Sequence, residues 1–113
     1  MSTGTIIEVS ASNFREVVLN AEKMTLIKFY FEACKPCKEL NPILDELAQE
    51  FSDCLVIGSL DIEESKENNK VFKNYGGHYA PTMLLFHEGL LKKKLKGRTL
   101  EELRKELSEL KAV

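Results

Sequence analysis

The chain has 113 residues, 43% of them hydrophobic and 30% charged, and 16 basic against 18 acidic side chains leave a net charge of −2. This is the make-up of one globular domain, residues 1–113, with no basic excess for a nucleic-acid partner and no apolar run near the roughly 20 residues of a membrane helix. Three cysteines are too few, and odd in number, for a disulfide scaffold.

The opening stretch Met1 to Val9 lacks the basic and apolar regions of a secretion signal, so a cytoplasmic protein is expected. Ile6-Ile7-Glu8-Val9 reads as a short strand, and Ser10 as the N-cap of a helix with Phe14, Val17 and Val18 on one side. Thr25 to Phe31 is β-branched and aromatic and apolar on both alternating faces apart from Lys28, the pattern of a strand covered on both sides. Leu40, Ile43, Leu44, Leu47, Ala48 and Phe51 recur at helical spacing and predict an amphipathic helix from about Cys34 to Phe51, with Pro42 inside it as an expected kink. Leu55 to Ile62 predicts a second buried strand. Glu63 to Asn74, with Val71, Phe72 and Tyr75 on one side, predicts a surface helix that Gly76-Gly77 ends. Thr82 to Phe86 is a third apolar strand, and His87-Glu88-Gly89 turns the chain into Leu90 to Lys96, whose Lys92, Lys93, Lys94 and Lys96 suit a solvated sheet edge. Thr99 and Glu102 form a capping box ahead of Leu100, Leu103, Leu107 and Leu110. The order predicts an α/β protein, a three-layer α/β/α sandwich with a mixed central β-sheet.

Cys34-Lys35-Pro36-Cys37 stands at a strand-to-helix junction. A thiolate there faces unpaired backbone N–H groups and the positive end of the helix dipole, which lowers its pKa. Two intervening residues let the sulfurs meet across one turn, and Pro36 fits the first turn, where a missing N–H costs nothing. Cys34, nearer the exposed end, is expected to attack, and Cys37 to resolve the mixed disulfide. The competing readings are a structural disulfide or a zinc half-site, whose further ligands would come from Cys54, His78 and His87. Cys54 itself reads as a small buried hydrophobe.

The segment Ile27-Lys28-Phe29-Tyr30-Phe31-Glu32-Ala33-Cys34-Lys35-Pro36-Cys37-Lys38, the following Asn41 to Ala48, and Ala80-Pro81-Thr82 together resemble the thioredoxin family, and the likeness runs from about Ile6 to Leu110. The resemblance implies a thioredoxin fold and a thiol–disulfide oxidoreductase that reduces protein disulfides, an electron carrier with Cys34 as nucleophile and Cys37 as resolving cysteine. It also implies a cis peptide bond at Pro81, substrate contacts from Ala80, and a glycine, Gly97, at a family position before the last helix. The implied partners are disulfide-containing proteins and a flavin-dependent thioredoxin reductase. No metal or organic cofactor, nucleic acid or membrane is implied, and a monomer is expected.

Four positions depart from the family pattern. Ala33 replaces the usual tryptophan before the nucleophile and removes a flat apolar contact for substrates. Lys35 stands between the cysteines in place of glycine and favours a thiolate at Cys34, hence a more oxidising couple. Lys28 occupies the place of a buried aspartate. Either it handles the proton of Cys37, with Glu32 as a second candidate for that task, or its stem packs in the core while its ammonium reaches water. Tyr79, with His78 and Tyr75, is expected to rim the substrate groove. These departures motivate the alternative function, a thioredoxin-fold interaction module with little catalytic activity.

Overall fold

The structure, a computed structural model, describes residues 6–111. Among the described residues five strands form one sheet: β1 (Ile7–Val9), β2 (Met24–Tyr30), β3 (Leu55–Asp61), β4 (Thr82–His87) and β5 (Leu90–Leu95), in the spatial order β1-β3-β2-β4-β5. β1, β3 and β2 run parallel, while β4 is antiparallel to β2 and β5 to β4. β2 lies in the middle, which is why Thr25 to Phe29 are all buried and its sequence is apolar on both faces. Alternation along the strand then sorts the side chains. Leu26 joins Ile57, Met83 and Leu85 on one face, and Ile27 and Phe29 join Leu60, Leu84 and Phe86 on the other.

Among the described residues three helices and one short turn of helix cover the two faces. Helix α1 (Lys35–Glu50) and helix α3 (Leu100–Lys111) cover the Leu26 face through Leu40, Leu44, Leu47, Leu103 and Leu107. A π-helical turn at Arg15–Leu19 and helix α2 (Lys66–Asn74) cover the Phe29 face through Phe14, Val18 and Phe72. The result is the three-layer sandwich with a mixed sheet read from the sequence. α1 continues through Pro42 without ending.

Local chemistry explains where the elements begin and end. Ser10 does not cap the first helical segment: its Oγ lies 2.7 Å from Ser12 Oγ, and its N–H donates to Asn13 Oδ1 at 2.8 Å. The segment that follows is a wide turn closed by an Asn20 N–H bond to the Arg15 carbonyl, and it has no side-chain cap. Helix α2 starts three residues later than its polar stretch suggests. Asp61 Oδ1 accepts the Glu63 N–H at 2.9 Å and holds those residues in a turn, and Ser65 then caps the helix through the Asn68 N–H at 3.0 Å. The helix closes with paired bonds from the Gly76 N–H to Lys73 and the Gly77 N–H to Phe72, with Gly76 at φ 80°. Thr99 and Glu102 form the expected reciprocal cap, at 3.2 Å in each direction. The side chain of Leu110 lies outside the described residues.

Candidate functional site

The sheet delivers three chain segments to one end. β2 leaves it at Tyr30 and reaches Cys34 four residues later; its Phe29 pairs with Thr82, at the start of β4, and Met83 pairs with Leu95, at the end of β5. The turn into α1, the loop before β4 and the loop after β5 therefore share that edge. Cys34 is the N-cap of α1, and its Sγ accepts the Cys37 N–H at 3.2 Å, in the place a serine or aspartate oxygen usually takes. The two cysteines are joined as a disulfide with Cα atoms 5.3 Å apart. Cys34 is 3% exposed and Cys37 1%, so the difference in exposure expected between them is small; what sets Cys34 apart is its place at the cap. Lys35 and Pro36, the first two helical residues, are exposed, and so is Ala33.

The loop before β4 carries a cis Ala80–Pro81 bond, and the Thr82 hydroxyl donates to the Tyr79 carbonyl at 2.5 Å. Pro81 is buried, Ala80 half-buried and Tyr79 53% exposed, its ring lying 4.6 Å beneath Lys94 Nζ. Tyr75 does not stand beside Tyr79 as expected. It turns into the core against Phe14 and Phe86, with ring centroids 5.6 and 5.1 Å away, because it caps α2 on the covered face of the sheet. Gly97 is buried where α3 approaches: a Cβ there would lie 2.8 Å from Glu102 Cβ, so the close passage of the loop over the helix requires glycine.

Lys28 points to the α1 face, at the base of the same site. The residue is 3% exposed, and its amine does not run out to bulk water; it donates to the Cys37 carbonyl at 3.4 Å and to Asn41 Oδ1. Burial lowers its pKa, and the carboxylates of Glu8 and Asp45 act in the opposite sense. A cleft of about 420 Å³ adjoins it, lined also by Tyr30, Glu32, Cys37, Asn41 and Ser59. Glu32 is thus brought to the same cleft as Lys28 and Cys37.

Two residues that touch the site escaped the sequence reading. Asn41 stands four residues after Cys37 on α1, so helical spacing alone would have placed it beside that cysteine. Arg98 gave no signal. Its guanidinium reaches the Pro81 carbonyl at 3.5 Å across a gap of 17 residues, a contact only the fold creates. The zinc reading finds no support in the geometry, since among the described residues no group of three or more His, Cys, Asp or Glu is placed to hold a metal. Cys54 is half-buried in the turn between α1 and β3 and packs against the α1 core. Among the described residues no helix is long and apolar enough to cross a membrane.

The pattern that defines the thioredoxin family matches residues 5–109. The chain is 42% identical over 82 residues to a thioredoxin of Buchnera aphidicola subsp. Acyrthosiphon pisum, covering 73% of each chain. It is 38% identical over 86 residues to a thioredoxin of Acidithiobacillus ferridurans, covering 76% of this chain and 77% of that one. Against a thioredoxin of Pseudomonas aeruginosa it is 33% identical over 84 residues, covering 74% and 75%.

Proposed function

The chain belongs to the thioredoxin family and is a thiol–disulfide oxidoreductase, and from that premise we propose that Cys34 and Cys37 divide the exchange between them. The reduced Cys34 thiolate attacks a substrate disulfide, forming a bond from its Sγ to one substrate sulfur while the other leaves as a thiolate and takes up a proton. Cys37 then loses its proton and attacks Cys34 Sγ. The second substrate sulfur leaves, takes up a proton, and the Cys34–Cys37 disulfide remains. The substrate has gained two electrons from the pair and two protons, one released by Cys37 and one from solvent. The observation that carries this reading is the pair itself, a disulfide whose N-terminal sulfur sits at a helix cap and accepts a backbone N–H.

Around the pair, Pro81 and Ala80 bound the groove, Tyr79 forms its rim, and Ala33 leaves the side next to Cys34 open. Gly97 lets the loop after β5 lie close. Lys35 and Pro36 shape the first turn, with Lys35 favouring the thiolate. Substrates are disulfide-containing proteins. Re-reduction of the pair falls to a flavin-dependent thioredoxin reductase, and such a supply of electrons fits the cytoplasm, where thiols are kept reduced. The test is a titration of the pair against dithiol and glutathione buffers. A single two-electron transition, displaced to the oxidising side of about −270 mV by Lys35, is expected. A pair that stays oxidised throughout the buffer range would make it a structural disulfide and sink the reading.

Lys28 acts on Cys37 in this scheme, either by accepting its proton when neutral or by favouring its thiolate when charged. Both routes predict the same sign. Lys28→Met slows the Cys37 step about tenfold near neutral pH and moves its pH profile to higher pH, tenfold corresponding to one unit of thiol pKa. An unchanged profile removes Lys28 from the chemistry. Stability supplies a second readout. The folded-state pKa of Lys28 lies below that of the unfolded chain, so the unfolded chain binds more protons between the two values. Stability therefore rises with pH through that window and carries the full penalty of the buried charge below it. The rise disappears in Lys28→Met.

A further inference from the structure

The loop around Pro81 is flanked by cations that, among the described residues, form no ion pair. Lys94 lies over the Tyr79 ring, and the Arg98 guanidinium reaches the Pro81 carbonyl at 3.5 Å and the Gly97 carbonyl at 3.1 Å. Lys96 stands two residues from each, exposed like both of them. Hydrogen bonding to Lys94 and its charge, with smaller contributions from Arg98 and Lys96, hold the Tyr79 phenol below its ordinary pKa, so the field of all three reaches the loop. Two nearby carboxylates are held by backbone N–H groups, and the Arg98 charge also acts on Glu102. Glu102 accepts the N–H groups of Arg98 and Thr99 at 2.9 and 3.2 Å. Glu106 accepts those of Lys96 and Gly97 at 3.1 and 2.8 Å, and its carboxylate lies 3.8 Å from Lys93 Nζ. Among the described residues, Lys94, Lys96 and Arg98 form no ion pair.

A lysine row along β5 serves to keep a sheet edge from pairing, and Lys92 and Lys93 need no other account. Lys94 and Arg98 differ, because each is tied to the Tyr79–Pro81 loop instead of lying free along the strand. Between the two cysteines Lys35 adds a further exposed cation, whereas Glu32 lines the cleft of Lys28.

We propose that the groove selects disulfides carried on acidic segments, with substrate carboxylates beside the cystine directed to Lys94, Lys96 and Arg98 while the chain passes over Pro81 and Tyr79. The proposal rests on the Cys34–Cys37 exchange and deepens it by naming the substrate class. Uncompensated charge around a site acts chiefly by steering encounter, raising association rates by about 10-fold or more at low ionic strength. Screening over roughly 8 Å at physiological salt reduces the effect.

The experiment compares three oxidised substrates with the reduced protein: neutral hydroxyethyl disulfide, and two cyclic cystine peptides identical except for paired Glu or paired Lys flanks. At low salt the Glu-flanked peptide is expected to be reduced about ten times faster than the Lys-flanked one, with the ratio shrinking as salt rises. Lys94→Gln, Lys96→Gln and Arg98→Gln combined are expected to bring the ratio close to one. Equal rates for the two peptides, with hydroxyethyl disulfide still reduced, overturn the acidic preference and leave the dithiol exchange standing. A ratio that persists in the triple variant also overturns the assignment to these three residues. Failure to reduce hydroxyethyl disulfide would instead remove the exchange on which the proposal rests.

Discussion

Cys34→Ser is expected to bring disulfide reduction down to the background rate of the dithiothreitol that supplies the electrons, whereas Cys37→Ser is expected to accumulate a covalent adduct with the substrate. The difference follows from position. Serine at residue 34 still caps α1, since an oxygen accepts the Cys37 N–H at least as well as sulfur does, so helix and fold are kept while the nucleophile is lost. Serine at residue 37 leaves the attacking thiol in place at the helix end. It removes the sulfur whose delivery to Cys34 is intramolecular, an advantage that for well-oriented groups reaches roughly 10⁵ M or more in effective concentration. Insulin reduction followed by turbidity reads the first result, and mass spectrometry of the trapped adduct reads the second. Retention of activity by Cys34→Ser would move the chemistry elsewhere. An adduct on residue 37 in Cys34→Ser, with none on residue 34 in Cys37→Ser, would reverse the two roles.

The largest expected loss of stability comes from a residue that touches no sulfur. Phe29 is fully buried in β2, five residues before Cys34, with its ring centroid 5.2 Å from that of Phe72. Phe29→Ala deletes a whole ring from a packed layer and is expected to destabilise the fold by about 3–5 kcal/mol. A domain of this size has about 5–15 kcal/mol in all, so the loss takes a large share of the total and the variant melts many degrees lower. Urea unfolding with the disulfide reduced measures this, and the reduction rate per folded molecule is expected to stay within a few-fold of the parent. A large loss of rate at full foldedness would mean that the Phe29 layer sets the geometry of the cysteine turn as well as the stability of the sheet.

Much of this was legible in the sequence because it is local. The spacing of Leu40, Leu44 and Leu47, the cysteine pair ahead of them, the glycines after α2 and the Thr99–Glu102 cap each depend on residues within a few positions of one another. The errors are local too, but they arise where two local choices compete. Ser10 had the right side chain for a cap and lost to Asn13, whose carboxamide closes the turn instead. Glu63 had the right composition for a helix and lost to the Asp61 turn. Tyr75 was placed at the groove from its neighbours in sequence, but the end of α2 turns it inward onto Phe14 and Phe86.

The chemistry of the chain, a dithiol at a helix N-terminus, follows from residue types and spacing alone, because a helix end creates its own field wherever it lies. What surrounds the dithiol does not. Lys28 reads from sequence as either a proton carrier or a snorkelling side chain. Its contacts with the Cys37 carbonyl and Asn41 exist only because β2 is central and the alternation of its side chains turns that residue beneath α1. Arg98 and Pro81 lie 17 residues apart and meet only because β4 and β5 are antiparallel and bring the start of one beside the end of the other. Short-range order is written in neighbouring residues. The charge around the sulfurs was decided by strand register and topology, which sum contacts over the whole chain and which no window of neighbouring residues contains.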